Sequence, residues 1–222
     1  VLDRSIPYFN ILMVRRAGTP LPPRLPLPAG FAFRPFHDGD EVDWAEIEAS
    51  VGEFAEPASA LARFRREYLP AGEDALRRVF FIRYADGAAA ATATAWWNTL
   101  GGRRVPSLHW VAVRPSLQGG GLGRALIFEA VRRMHGLEGD VDFCLHTQTW
   151  SYRAVGLYLR AGFRFLTEGT LDGYANDYAQ ALPLLREKMG ENLRPEWLQP
   201  SSVTAPLRHK EGIEIDPNRR LR

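Results

Sequence analysis

The sequence predicts an α/β domain, on three observations. Short strand-like apolar segments alternate with segments of helical period along most of the chain. One strand is joined to a long amphipathic segment by a run in which four of the five residues from Gly119 to Gly123 are glycine. The 222 residues are 45% apolar and 24% charged, enough apolar material for one globular core.

In chain order, YFNILMV (8–14) reads as a short strand. GTPLPPRLPLPAG (18–30) follows as an extended, proline-rich spacer. FAFRPF (31–36) alternates as a strand does, and HDGD (37–40) supplies a turn and a helix cap. Trp44, Ile47 and Val51 mark one helix; Leu61, Phe64 and Tyr68 mark a second, ended by Pro70. RVFFIRY (78–84) and AAAATATAWW (88–97) flank the hairpin signal Asp86-Gly87, although the alanines of the second segment alone would permit a helix. VPSLHWVAV (105–113) is the next strand. The helix after the glycine run carries Leu122, Leu126, Ala130 and Met134 on one face. VDFCLHT (141–147) is a buried strand, WSYRAVGLYLRAG (150–162) a helix closed by a glycine cap, and FRFLT (163–167) a further strand. A last helix is expected over 180–190, starting near Pro183, with a polar tail beyond it.

A formal net charge of +2 gives no global signal for nucleic acid. The single cysteine, Cys144, excludes an internal disulfide and points to the cytoplasm. No apolar run reaches the length of a membrane span, and the N-terminal residues do not read as a signal peptide. No two histidines or cysteines have metal-ligand spacing, so no metal is expected.

Glycine is costly at the start of a helix, so the run needs a reason. Helix N-termini expose unpaired N–H groups and a partial positive charge, and bare backbone lets an anion approach them closely. The P-loop pattern fails because Arg124-Ala125 follow Gly123; the dinucleotide pattern fails because its third glycine would fall at residue 124. The pattern Gln/Arg-x-x-Gly-x-Gly/Ala between strand and helix is met in full by Gln118-Gly119-Gly120-Gly121-Leu122-Gly123.

That motif, within HWVAVRPSLQGGGLGRAL, resembles the GCN5-related N-acetyltransferase (GNAT) superfamily. SYRAVGLYLRAGF (151–163) supports the resemblance: Ala154, Leu157, Tyr158, Gly162 and Phe163 fit a pattern common in that family, with Ser151 in the place of Asn. The resemblance covers roughly 78–167 and is compatible from 31. It implies a mixed, twisted central sheet flanked by helices, with splayed central strands and acetyl-CoA in the gap. The chain then divides into an N-terminal strand and linker (1–30), an acetyltransferase domain (31–190) and a tail (191–222).

On this resemblance the pyrophosphate rests on backbone from Gln118 through Gly119, Gly120, Gly121, Leu122 and Gly123 to Arg124. The pantetheine arm runs along Val111, Ala112 and Val113, with Ser151 and Ala154 also at the cosubstrate. Val111 offers a donor to the thioester oxygen. The reaction is direct attack by the amine of a small molecule or peptide. Tyr158, by its match to the family's tyrosine, is the candidate acid and also borders the cosubstrate. For the base, the strand before the glycine loop holds no carboxylate. His109 and His146 are the candidates, with Glu53 as an outside one. Trp96, Trp97, Trp110 and Trp150 either line an acceptor pocket or fill the core. A non-catalytic acyl-CoA sensor and transfer of a longer acyl group stand as alternatives.

The family's usual last strand lies between its fifth and sixth, yet the residues after FRFLT look helical. Tyr8–Val14 is therefore expected to fill that slot, in its own sheet or, by strand exchange, in that of a homodimer partner.

Overall fold

A computed structural model describes residues 2–100 and 102–199. The strands are β1 (Asn10–Arg15), β2 (Phe31–Pro35), β3 (Val79–Tyr84), β4 (Ala89–Leu100), β5 (Arg103–Val113), β6 (Phe143–Gln148) and β7 (Arg164–Phe165). The helices are α1 (Glu41–Val51), α2 (Pro57–Glu67), α3 (Glu73–Arg78), α4 (Leu122–Glu138), α5 (Tyr152–Arg160) and α6 (Tyr178–Met189). The strands form one open mixed sheet in the order β2-β3-β4-β5-β6-β1-β7.

The N-terminal strand does fill the vacant slot, within its own chain. β1 runs antiparallel to β6 from Asn10↔Gln148 to Arg15↔Phe143, and antiparallel to β7 through Met13↔Phe165 and Val14↔Arg164. Ile11 and Met13 enter one core while Leu12 and Val14 enter another, so both faces of β1 are buried. The linker must then return to the far edge of the sheet. Five strand spacings are about 24 Å, and residues 18–30 in polyproline form reach about 40 Å. Arg132 of α4 donates to the Pro22 carbonyl (3.0 Å), and Leu21, Leu25 and Leu27 pack on the core along the way.

Two larger cores lie on opposite faces. Phe80 and Ile82 of β3 join α4, α5 and α6 in one; Val79 and Phe81 join α1 and α2 in the other. β4 is a strand despite its alanines, because Ala91, Ala93 and Ala95 are packed in the sheet beneath α4.

Four expectations are adjusted. α6 starts at Tyr178, not near Pro183, and keeps Pro183 inside it: burial of Ala181 and Leu185 outweighs the backbone hydrogen bond that proline forfeits. Residues 73–77, unassigned from sequence, form α3 together with Arg78, which ends this helix instead of opening a strand. β6 begins at Phe143 because the Asp142 carboxylate is held by Arg16 Nη1 and the Ala17 N–H, both at 2.7 Å. The expected strand 163–167 shortens to two residues. Of the tail, Leu193 and Trp197 are buried against the first core; residues 200–222 lie outside the described ones.

Candidate active site

The site begins where β5 and β6 part. These parallel neighbours share one registered pair, Ser107↔Cys144. Beyond it β5 bulges: between the pairs Thr94↔His109 and Thr92↔Ala112, three residue steps on β5 match two on β4. Trp110 takes up the extra residue with φ 48°, the one positive-φ non-glycine among the described residues. A bulge bends its strand and releases backbone groups from the ladder. Val111, Ala112 and Val113 line the resulting cavity of about 510 Å³.

The glycine run forms the next wall. The Gln118 amide donates to the Val113 carbonyl (2.9 Å) and folds the loop back on its strand. Gly119 and Gly121 sit at φ 86° and 88°, and a Cβ on either would meet nothing within 4 Å: both are left-handed and face open space. No side chain caps α4, so its first N–H groups remain for an anion. Gly123 has another job. A Cβ there would lie 3.4 Å from Leu157 Cδ1 and 3.7 Å from Val113 Cγ2, so its absence lets α4 close on α5 and β5. Gly120 and Leu122 do not line the cavity, and Leu122 is a core residue.

From α5 and the turn before it come Ser151, Ala154 and Leu157, with Arg153 and Arg160. Ser151 stands at the N-cap of α5 without capping it, which leaves its hydroxyl available to a ligand. Arg124, Arg153 and Arg160 give the cavity three guanidinium-bearing side chains, apt partners for phosphate. The sequence reading missed the last two. Their seven-residue spacing along α5, either side of Leu157, was the available signal.

The last wall joins α1 to the N-terminal segment. Gly52, at φ 93°, ends α1 in a left-handed cap, and the Glu53 N–H turns back to the Glu48 carbonyl (3.2 Å). That turn delivers Glu53 to the cavity. Leu2 and Asp3 complete the wall: Leu2 N–H donates to Val51 O (3.3 Å) and Asp3 N–H to Trp150 O (3.0 Å), so the segment bridges both sides of the gap. Sequence reading gave these residues no role.

Burial raises the Glu53 carboxyl above its ordinary pKa, against the opposing effects of a long contact from Gln148 Nε2 (3.5 Å) and the nearby Arg4. Tyr158 is buried and does not line the cavity, yet Glu53 and Glu48 both act on it electrostatically. Burial first, then these two acids, push its phenol pKa up and keep it protonated.

Neither histidine lines the cavity. His109 Nδ1 lies 3.4 Å from the Tyr68 hydroxyl and 3.7 Å from Glu67 Oε1. His146 stacks on Tyr174 at 3.7 Å and places Nε2 2.9 Å from Asn10 Oδ1, while Asp177 takes the Asn10 amide (3.0 Å) and backbone N–H (2.9 Å). Burial lowers the His146 pKa to about 4, with a smaller effect from His109. Of the four tryptophans, Trp150 lines the cavity. Trp96 packs on Tyr68 and Trp110 on Trp44 and Phe54, while Trp97 lies between Arg78 (3.5 Å) and Arg104 (3.7 Å). Among the described residues no group of three or more potential ligands could hold a metal, and no helix is long and apolar enough to cross a membrane.

The model of the GNAT acetyltransferase family matches residues 41–163, which takes in α1, the bulged strand, the glycine loop and α5. The chain belongs to the GNAT acetyltransferase family. Solved structures agree on the fold of this GNAT chain. It is similar to a GCN5-related N-acetyltransferase from Sphaerobacter thermophilus (21% identity, TM-score 0.53, covering 70% of this chain and 48% of that one). It is also similar to a GNAT-family acetyltransferase from Colwellia psychrerythraea (14%, TM-score 0.52, 72% and 54%). A third similarity is to the GCN5-related glucosamine N-acetyltransferase region of a fungal multi-domain GH3 β-N-acetylglucosaminidase (12%, TM-score 0.52, 74% and 20%). The matched part of this chain thus spans about half or less of each of these proteins. No curated protein matches the sequence. The family's cosubstrate, acetyl-CoA, fits the residues present: a glycine cradle open at two left-handed positions, arginines beside it and a free strand edge leading away.

Proposed function

We propose that this GNAT protein transfers acetyl from acetyl-CoA to the amine of a small molecule or peptide by direct attack in a ternary complex. One observation carries the reading. A single cavity joins the glycine cradle and its arginines, the released edge of β5 and the desolvated carboxyl of Glu53.

Backbone of Gln118–Arg124 holds the pyrophosphate, with the arginines in support. The strand edge Val111–Val113 aligns the pantetheine, and a backbone donor near Val111 faces the thioester oxygen as charge develops on it. An alkylammonium has a pKa of about 10 and must lose a proton before it attacks. Glu53 is the base this geometry favours, because it lines the cavity and its raised pKa suits proton acceptance. His109 and His146 sit outside the cavity and are given no proton-transfer role. Tyr158, by its match to the family's tyrosine, is assigned the proton for the departing thiolate; it is held protonated, although its ring does not line the cavity.

The test is calorimetric titration with acetyl-CoA and CoA, followed by a thiol-release screen over amines, amino acids and peptide N-termini. Binding with acceptor-dependent release is expected. Binding without release across the panel would favour an acyl-CoA sensor, and no binding would overturn the site.

A further inference from the structure

Residues 2–9 wrap around Trp150, and the wrap is firm at one end only. Trp150 Nε1 donates to the Ile6 carbonyl (2.8 Å). Thr149 Oγ1 donates to the Pro7 carbonyl (2.5 Å) and accepts from the Phe9 N–H (3.0 Å). Tyr8 meets the Trp150 ring edge-on at 5.0 Å. These contacts fix the indole in place. Beyond Ile6, Arg4 and Ser5 are exposed, and the tip crosses the gap on the two backbone bonds from Asp3 to Trp150 and from Leu2 to Val51. Few contacts and an exposed backbone let such a tip open locally while its root stays folded.

Arg4 makes the third link across the gap. Its Nη2 donates to the Gly52 carbonyl (2.6 Å), and its Cζ stands over the Trp150 ring, 5.1 Å from the centroid. The left-handed cap of α1 fixes that carbonyl, and Glu53 follows it in the chain. Among the described residues the guanidinium meets no carboxylate at ion-pair distance; Glu53 senses its charge from farther off. A fixed aromatic face, a fixed carbonyl and a neighbouring carboxyl are together a seat for an organic cation. Trp150 and Glu53 both line the cavity that holds the glycine cradle, so the seat lies on its rim, beside the base proposed above.

We propose that Arg4 occupies the entry seat of the acceptor, and that this acceptor is an aliphatic amine arriving as its ammonium ion. The inference deepens the acetyltransferase reading and rests on it. The chain's own cation competes with the substrate's, and residues 2–4 form a gate that the substrate displaces. The incoming ammonium takes over the face of Trp150 and the Gly52 carbonyl, with Glu53 beside it. An aromatic amine, uncharged at neutral pH, gains nothing from this seat and does not displace Arg4. While Arg4 holds the seat the acceptor cannot, so its apparent affinity falls with the fraction of seats left open.

Ethylguanidinium copies the end of the Arg4 side chain and tests the seat without turnover. Its binding is followed by NMR on the Trp150 indole N–H, assigned among the six tryptophans with Trp150→Phe. In Arg4→Ala the resonance should shift saturably, with a midpoint at least about tenfold lower than in the parent. Equal midpoints, or no shift in either protein, overturn the seat. The second arm reads KM for the aliphatic amine giving fastest thiol release. Arg4→Ala should lower it at least about threefold. Trp150→Leu should raise it at least about threefold, and Trp150→Phe, which keeps an aromatic face, should fall between parent and Trp150→Leu. A segment that merely walls the cavity is loosened by both Arg4→Ala and Trp150→Leu and moves KM in one direction. That outcome overturns the gate, as does an aniline whose KM follows the pattern expected of the aliphatic amine. If ethylguanidinium seats in Arg4→Ala while no amine releases thiol, the transferase reading fails and the acceptor role with it, and the cation seat stands.

Discussion

Ser107 and Cys144 face each other across the apex of the gap between β5 and β6. The Cys144 thiol is buried, donates to the Pro106 carbonyl (3.4 Å), and has its pKa pushed up to about 12 by burial. A thiolate is the reactive form of cysteine, so Cys144 should resist alkylation by iodoacetamide in the folded protein and react only at the rate of unfolding. Mass spectrometry over a denaturant series reads this directly. The same inertness leaves a thiol-release assay free of background from the protein.

Gly121→Val tests the cradle. It puts a β-branched side chain at φ 88°, into space now open. CoA affinity should fall at least about 100-fold, or about 3 kcal/mol, with the sheet intact by circular dichroism. Undiminished affinity in a folded variant would remove the pyrophosphate from this loop.

Tyr158→Phe deletes one hydroxyl from a buried ring that packs at 6.1 Å from Phe163. The packing survives, so CoA affinity should stay within about twofold while kcat drops about 100-fold or more. Equal losses in affinity and kcat would make the tyrosine a positioning residue.

The glycine cradle and α5 were legible in the sequence because each is a local device: Gln118–Gly123 needs only a strand before it and a helix after it. The slot for β1 was legible as well, since the segment after β7 had a helical pattern and Tyr8–Val14 did not. The walls that depend on distant pairs were not. Glu53 reaches the cavity through the left-handed Gly52 and the packing of α1 on β4 and β5. Leu2 and Asp3 reach it by bonding to residues 49 and 147 positions away. The histidines drew attention by type and by strand position, but the bulge at Trp110 and the Asn10–Asp177 chain decide where they point, and neither has a sequence signature.

Glu53 gives the reaction a pH signature. Its carboxyl is raised by burial, so kcat/KM should climb with pH along a limb centred above the ordinary carboxylate value, where the base ionises. Glu53→Gln should abolish that limb and lower the plateau about 100-fold. A limb unchanged in the variant would assign it to another group.

His146 should write a different signature on stability. Its pKa falls from an ordinary 6.5 to about 4 in the fold, so between those values the unfolded chain binds the proton more readily. Stability therefore rises with pH across that window and is flat below it, a contribution of up to about 3 kcal/mol. Glu48 and Glu53 have raised pKa values and slope the opposite way, so the total curve conceals the histidine. The difference between parent and His146→Gln isolates it. Gln still offers Asn10 Oδ1 a donor but does not titrate. Urea unfolding at intervals from pH 4 to 6.5 should show the variant gaining on the parent as pH falls. Parallel curves would mean that the ring takes up its proton in place, and that the stack on Tyr174 opens to admit it.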